Sequence, residues 1–390
     1  MHIVADRDIP GVDTCFGEWG RLTRLPGREI DARAVRDADV LLTRSITRVD
    51  DALVADSRLR FVGTCTIGTD HVDQTALTSR GIGFASAPGC NAEAVVDQVL
   101  SSLLTIAERE GTELDERRVG VVGVGNVGGR LFQRLSALGI DCLCCDPPRA
   151  QAEGDDGYVD LDTLIALCDV ICLHTPLIPE GRYATYHLFD DARIEALAPE
   201  TWLLNAGRGE CLDGDALLRR LSRRGDITAI LDVWEREPDI DQALWQRVAI
   251  ATPHVAGYSL DGKLRATHMI YTALADQWGM PKCHAFEELT PPPSLSRLVL
   301  DGGLTPWEAL RLCVRAVHDV RRDHDRLALA CRKRGMGAGF DGCRAGKVRR
   351  REFSTLTVEL GADAADYASW LAAAGFSIHT STIITDRKTP

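Results

Sequence analysis

The chain has no excess of positive charge. Its 57 acidic residues outnumber its 45 lysines and arginines, giving a formal net charge of -12 over 390 residues. A field of that sign repels nucleic acid and anionic membrane surfaces, so neither is an expected partner. No run of about 18 uncharged apolar residues occurs, so no membrane-spanning helix is expected. The opening Met1-His2-Ile3-Val4-Ala5-Asp6-Arg7-Asp8 meets charge too early for the apolar region of a secretory leader. No repeat of solenoid length is visible. The 13 cysteines show no disulfide or zinc-binding framework. Cys142, Cys144 and Cys145 cluster in an apolar stretch and read as buried free thiols, so no metal is expected and a cytoplasmic location is.

What is present is an ordinary globular balance, 45% apolar and 26% charged, in a chain too long for one core. Two or three domains are expected. Val40 to Thr43 and Arg60 to Thr64 are brief apolar runs that suit buried parallel strands, with Arg44, Ser45, Thr66 and Gly68 in the loops that follow. Ala94 to Glu108 has helical spacing. From residue 118 to 255 strand and helix alternate more clearly, with strands expected at Val119–Val122, Cys142–Cys145, Val170–Leu173, Trp202–Asn205 and Thr228–Leu231. A helix is expected over Lys263 to Trp278. Thr290-Pro291-Pro292-Pro293 then punctuates the chain. Beyond it, Thr305-Pro306-Trp307-Glu308 is a helix start, and Leu356, Val358 and Leu360 alternate as in a half-exposed strand. Arg349-Arg350-Arg351 reads as a solvated basic loop, with an anion or subunit contact as the alternative.

Gly123-Val124-Gly125-Asn126-Val127-Gly128 is the strongest local motif. A strand precedes it and a helix, Asn126 to Leu138, follows. The first glycine permits the turn, the second lets backbone approach a pyrophosphate, and the third lets helix and strand pack closely. The helix N-terminus faces the phosphates. Asp146 ends the next strand, 18 residues beyond Gly128 and near the expected ~20. A carboxylate there accepts hydrogen bonds from ribose hydroxyls and repels a 2'-phosphate, which favours NAD over NADP despite the nearby Arg149.

Three further segments follow strands. Arg208, in Asn205-Ala206-Gly207-Arg208-Gly209, offers a fork that matches a carboxylate. Asp232 ends a strand on the nicotinamide side, and Glu237 precedes Pro238 and is kept extended. His254, in Thr252-Pro253-His254, is a natural acceptor for a hydroxyl proton, and Glu237 is the candidate to orient it. His71, in Thr69-Asp70-His71, reads as structural.

These segments, with His174-Thr175-Pro176-Leu177, resemble the D-isomer-specific 2-hydroxyacid dehydrogenase family over about residues 1 to 285. Arg44-Ser45-Ile46-Thr47, Gly63 to Asp73, Ala87 to Ala92 and the tail segments His318 to Asp323, Phe340-Asp341 and Arg350 to Phe353 are similar to one branch of it, which acts on a small phosphorylated hydroxy acid and dimerises through an extra C-terminal domain. The resemblance implies a Rossmann-type doubly wound NAD domain (96–255), a flavodoxin-like substrate domain (1–95 plus 256–285) and a small α+β C-terminal dimerisation domain (286–390). It implies Arg208, Glu237 and His254 as catalytic residues and Ser45, Thr66 and Tyr258 as substrate contacts. Asp146, Thr175, Ala206, Gly207, Arg208, Asp232 and Gly257 would contact NAD beside Gly123, Gly125, Asn126, Val127 and Gly128. A homodimer is the implied partner state. Two departures stand out: Gly207, where a larger residue is expected, and a glycine-rich stretch, 331 to 348, expected to lie away from the chemistry. Another dehydrogenase of the family, such as one acting on 3-phosphoglycerate, and a non-catalytic NAD sensor stay open.

Overall fold

The computed structural model describes residues 1–345 and 349–380. Backbone contacts divide the chain into two compact units, Met1–Ala92 with Tyr258–Pro292, and Glu93–Gly257 with Pro293–Pro390.

The first unit holds a five-stranded parallel sheet of β1 (His2–Asp6), β2 (Arg21–Leu25), β3 (Val40–Thr43), β4 (Phe61–Thr64) and β5 (Gly83–Ala85), in the order β2-β1-β3-β4-β5. That is the flavodoxin-like order. Alternation puts Ile3, Val40, Leu42 and Phe61 on one face, under Ile270, Tyr271 and Leu274 of the helix Leu260–Trp278. Val4, Leu41 and Val62 build the core of the other face. The Leu260–Trp278 helix starts before the expected Lys263 because the Ser259 hydroxyl accepts the Gly262 N–H at 2.8 Å and caps it.

The second unit holds a six-stranded parallel sheet: β6 (Val119–Val122), β7 (Cys142–Cys145), β8 (Val170–Leu173), β9 (Trp202–Asn205), β10 (Thr228–Leu231) and β11 (Ile250–Ala251), in the order β11-β10-β9-β8-β6-β7. All five expected strands lie where the apolar runs put them. Strand order reverses at β6, the switch point where open α/β sheets bind ligands. Both faces are buried: Val121, Cys144, Val170 and Leu204 point to one core, and Val122, Cys145, Ile171 and Leu203 to the other. The cysteines of β7 are thus split between two apolar cores. Burial pushes the Cys142, Cys144 and Cys145 thiols up to about 12, 11 and 12, so they stay protonated.

The C-terminal segment adds a parallel sheet, β12 (Arg297–Leu300), β13 (Thr357–Leu360) and β14 (Ser377–Thr380), paired in that order. Thr305 caps the helix Pro306–Val317 through a capping box with Glu308. The segment is not walled off from the six-stranded sheet. Leu300, Trp307, Leu310, Phe353 and Val358 share one continuous core with Leu100, Leu131, Leu135 and Val121.

The glycine-rich stretch corrects the expectation of a region remote from the chemistry. It contains the helix Met336–Arg344, whose glycines mark close approaches. A Cβ on Gly339 would lie 2.6 Å from the Cys331 backbone nitrogen, and one on Gly337 would lie 2.3 Å from the Asp239 carboxylate. Phe340 and Cys343 are buried with Trp234, Ile240 and Leu244.

Candidate active site

The glycine loop leaves β6 with its three glycines in three distinct environments. Gly123 has φ +86°, and a Cβ there would lie 3.0 Å from the His174 backbone. A Cβ on Gly128 would sit 1.9 Å from the Gly123 carbonyl oxygen, so only glycine lets the helix Gly128–Ala137 start here. Gly125 is exposed and faces open space, with nothing within 4 Å of a Cβ. The neighbouring Asn126 is exposed and Val127, the N-cap, is half-buried and makes no side-chain cap. An open cradle above a helix N-terminus fits a dinucleotide's pyrophosphate. The Asp146 carboxylate accepts Val124 N–H at 2.7 Å and Arg149 N–H at 3.1 Å, which ties the second strand to the glycine loop. The Arg149 guanidinium is bound to Glu153 and to the Val124 carbonyl.

His174 and Thr175 line the next strand end. Both ring nitrogens of His174 are buried and make no hydrogen bond among the described residues. Burial lowers this imidazole to about 4, so it is neutral near pH 7. The Thr175 hydroxyl lies 3.4 Å from the Cys211 sulfur. A Cβ on Gly207 would lie 2.9 Å from the Thr175 carbonyl oxygen, which explains glycine where a larger residue was expected. Ala206 N–H donates to Leu173 O and Gly207 N–H to the Asn205 side chain.

Arg208, Glu237 and His254 follow β9, β10 and β11, three neighbours in the sheet, at the same end. Arg208 is half-buried, and its Nη1 donates to Gly207 O at 3.0 Å. A Cβ on Gly209 would lie 2.1 Å from the Trp234 backbone, so the Arg208 loop is pressed against the loop leading to Glu237. There, Glu237 Oε1 accepts the Trp234 N–H at 3.0 Å, and Oε2 takes the His254 Nδ1–H at 2.8 Å. With Nδ1 donating in that contact, the ring is oriented and Nε2 is its acceptor nitrogen. His254 has φ +54°, a strained conformation for histidine.

The strain is held by Asp232. Its carboxylate accepts Val255 N–H and Ala256 N–H at 2.9 Å each, the Thr252 hydroxyl at 2.5 Å and the Gln98 amide at 3.2 Å. Its carbonyl accepts His254 N–H at 2.6 Å. The same loop is gripped from behind by Arg350. That guanidinium donates to Val255 O at 3.2 Å, Ala256 O at 3.0 Å and Gln98 Oε1 at 2.9 Å, and to Ala94 O. The expectation of a solvated loop is therefore wrong for Arg350: it is half-buried, and that burial pulls its guanidinium down from the ordinary arginine value. The cost of desolvating it is offset by four oxygen acceptors and by Asp97, Asp323 and Asp232 nearby. Gln98 and Arg350 were not among the expected site residues. Their signal was a polar set, Asp97, Gln98, Ser101, Ser102 and Thr105, buried in the helix Ala92–Glu110.

Ser45, Thr66 and Tyr258 belong to the first unit. Ser45 is exposed after β3. Thr66 Oγ1 donates to Gly68 O at 2.8 Å and lies 2.7 Å from the Thr64 hydroxyl, which in turn meets His71 Nε2 at 2.9 Å. Burial lowers His71, consistent with a structural reading. The Tyr258 ring lies under the Lys263 ammonium, 4.2 Å away. Gly257, the last residue of the second unit's middle stretch, is half-buried.

One set of ligand-type side chains occurs among the described residues: His187, Asp213 and Glu235, with atoms within 4.8 Å of one another. Asp213 and Glu235 already accept Ala216 and Gly214 N–H groups at the start of the helix Gly214–Arg223, and His187 bonds Glu235 at 2.7 Å. The set acts as a polar clasp. No described helix is long and apolar enough to cross a membrane.

Residues 94–256 match the NAD binding domain model of D-isomer specific 2-hydroxyacid dehydrogenases, and residues 289–375 match a domain of unknown function. The chain is 54% identical over 381 residues to erythronate-4-phosphate dehydrogenase of Chromohalobacter salexigens, covering 98% of this chain and 100% of the relative. It is 51% identical to that of Azotobacter vinelandii, over 93% and 96% of the two chains. Among solved structures, NAD-bound 3-phosphoglycerate dehydrogenase of Entamoeba histolytica superposes with a TM-score of 0.62 at 22% identity, over 72% of this chain and 95% of that one. A formate dehydrogenase of Staphylococcus aureus in complex with NAD gives 0.59 at 23%, over 71% and 96%. Both share the fold. The chain belongs to the D-isomer-specific 2-hydroxyacid dehydrogenase family, NAD-dependent oxidoreductases, and within it to the erythronate-4-phosphate dehydrogenases.

Proposed function

We propose that this chain oxidises 4-phospho-D-erythronate to (R)-3-hydroxy-2-oxo-4-phosphobutanoate, a step toward pyridoxal 5'-phosphate, as a cytoplasmic homodimer. The observation that carries the reading is the 2.8 Å contact of His254 with Glu237, at the strand end beside the Arg208 loop. Bound NAD would supply the acceptor for the hydride of C2. His254 Nε2 takes the hydroxyl proton, and Glu237 stabilises the imidazolium that forms. The Arg208 guanidinium holds the carboxylate and polarises the developing carbonyl. Gly123 to Gly128 would hold the pyrophosphate, Asp146 the adenosine ribose, and Thr175, Ala206, Gly207, Asp232 and Gly257 the nicotinamide half.

Ser45, Thr66 and Tyr258 are assigned to substrate contacts. The same proposal divides the chain into a substrate domain (1–95 plus 256–285), an NAD domain (96–255) and a C-terminal domain (286–390) that makes the dimer. A panel of 2-hydroxy acids, with and without a terminal phosphate and including 3-phosphoglycerate, tests it by NADH absorbance. The expected result is a kcat/KM for 4-phospho-D-erythronate at least about 100-fold above the unphosphorylated acid, in line with losing a charge-assisted contact. Equal rates would refute the substrate assignment. Tight NAD binding without NADH formation on any acid would favour a sensor.

A further inference from the structure

The C-terminal segment reaches the catalytic pair directly. Arg344 is the last residue of the helix Met336–Arg344, and its Nη1 lies 3.6 Å from Glu237 Oε2, the oxygen that bonds His254. Both side chains are mostly buried, Arg344 at 24% exposure and Glu237 at 19%. The approach is built in. Phe340 and Cys343 anchor the helix beside Trp234 and Ile240, and Gly337 lets its backbone pass Asp239, two residues beyond Glu237.

We propose that Arg344 is a positioning residue for the reaction, supplied by a segment whose family model is a domain of unknown function. It fixes Glu237 Oε2 between a guanidinium and an imidazole. The guanidinium faces the same carboxylate oxygen as the ring, and it opposes a second positive charge on His254. Glu237 alone would favour the imidazolium in the resting enzyme and withhold the base that oxidation requires. Arg344 restrains that tendency, and the ring still finds a carboxylate once it takes the substrate's proton. The other charges around the pair are engaged elsewhere: Asp232 with four donors, Glu235 with His187, and Arg236 with Asp215 at 3.5 Å. Arg208 stands on the loop pressed against the one that carries Glu237, and Asp239 lies two residues beyond Glu237, beside Gly337.

The inference rests on the roles proposed for Glu237 and His254, so the test has an arm that needs no turnover. The His254 imidazole is titrated by NMR in full-length wild type, R344Q and R344K, and kcat and KM are measured across pH on the same proteins. Removing the cation should raise the His254 midpoint by about one unit in R344Q, the size expected of one near charge. The acid limb of kcat should move up with it, with KM within about two-fold. R344K, which keeps the charge, should return the midpoint to within a few tenths of a unit of wild type. An unmoved midpoint in R344Q overturns the proposal. So does an equal shift in R344K, which would mean general disturbance of the helix, or a raised KM with the midpoint fixed, which would make Arg344 a substrate contact. A wild-type protein whose His254 titrates but which forms no NADH would instead refute the proposed reaction.

Discussion

Glu237→Gln keeps the size of the side chain and removes its charge. The magnitude follows from the geometry. An imidazolium and a carboxylate about 4 Å apart attract by about 4 kcal/mol at an effective dielectric near 20. His254 retains 35% exposure and Glu237 19%, so solvent screening reduces this by roughly half. About 2 kcal/mol of stabilisation of the protonated ring is then lost, a ~30-fold fall in kcat. A glutamine can also present its amide N–H to Nδ1 and turn the ring to the wrong tautomer, which adds to the loss. Because a neutral neighbour no longer favours the imidazolium, the acid limb of the rate profile should move to lower pH by roughly 1.5 units. NAD affinity, measured by fluorescence titration, should stay within about two-fold, since the glycine loop is untouched. A kcat within about two-fold of wild type, with the limb unmoved, would mean that the carboxylate does not act through His254.

Asp146→Ala should narrow the preference for NAD over NADP by about ten-fold or more in kcat/KM, because the repulsion of a 2'-phosphate goes with the carboxylate; an unchanged ratio would refute the ribose assignment. Gly125→Val and Gly128→Ala should separate binding from folding. The first fills open space and should weaken NAD at least about ten-fold at near-normal melting temperature, whereas the second forces a 1.9 Å clash and should lower stability by several kcal/mol, roughly the scale of an overpacked core. The reverse pattern would show that the loop is misread. Acid should destabilise the protein through His174. Its folded value is about 4 against the ordinary 6.5, so the unfolded chain binds a proton first as pH falls through 6.5, and stability drops until pH reaches about 4. The full effect is about 3 kcal/mol, and His174→Leu should flatten that slope in denaturation curves taken across the window.

Much of the second unit was legible because its signals are local. Strands β6 to β10 are short apolar runs, and Gly123 to Gly128 with Asp146 carry their chemistry within one supersecondary unit. The pairing of Glu237 with His254 was inferable because each follows a strand and one needs the other. The edge strand β2, Arg-Leu-Thr-Arg-Leu, escaped notice because none of its residues is fully buried and the run lacks apolar contrast. Arg344 and Arg350 were illegible for a different reason. Their partners, Glu237, Gln98 and Ala94, lie about a hundred or more residues away in sequence, and no spacing rule links them. Arg350 in a run of three arginines looks like solvated charge until its carbonyl acceptors are seen. The glycine-rich stretch was expected to lie away from the chemistry; Gly339 instead lets its helix touch the helix Val320–Arg334, and Gly337 lets it pass Asp239.

The apolar continuity between the C-terminal sheet and the glycine-loop helix bears on how this enzyme could have been assembled. The helix Gly128–Ala137 packs against the C-terminal helix Ala368–Ala373, whose Leu371 is fully buried in the shared core. A protein cut back to its family's common two-domain length would expose that patch, along with the loop behind His254. The appendage is therefore not a detachable handle: its acquisition or loss would have required the surface beneath it to change polarity at the same time.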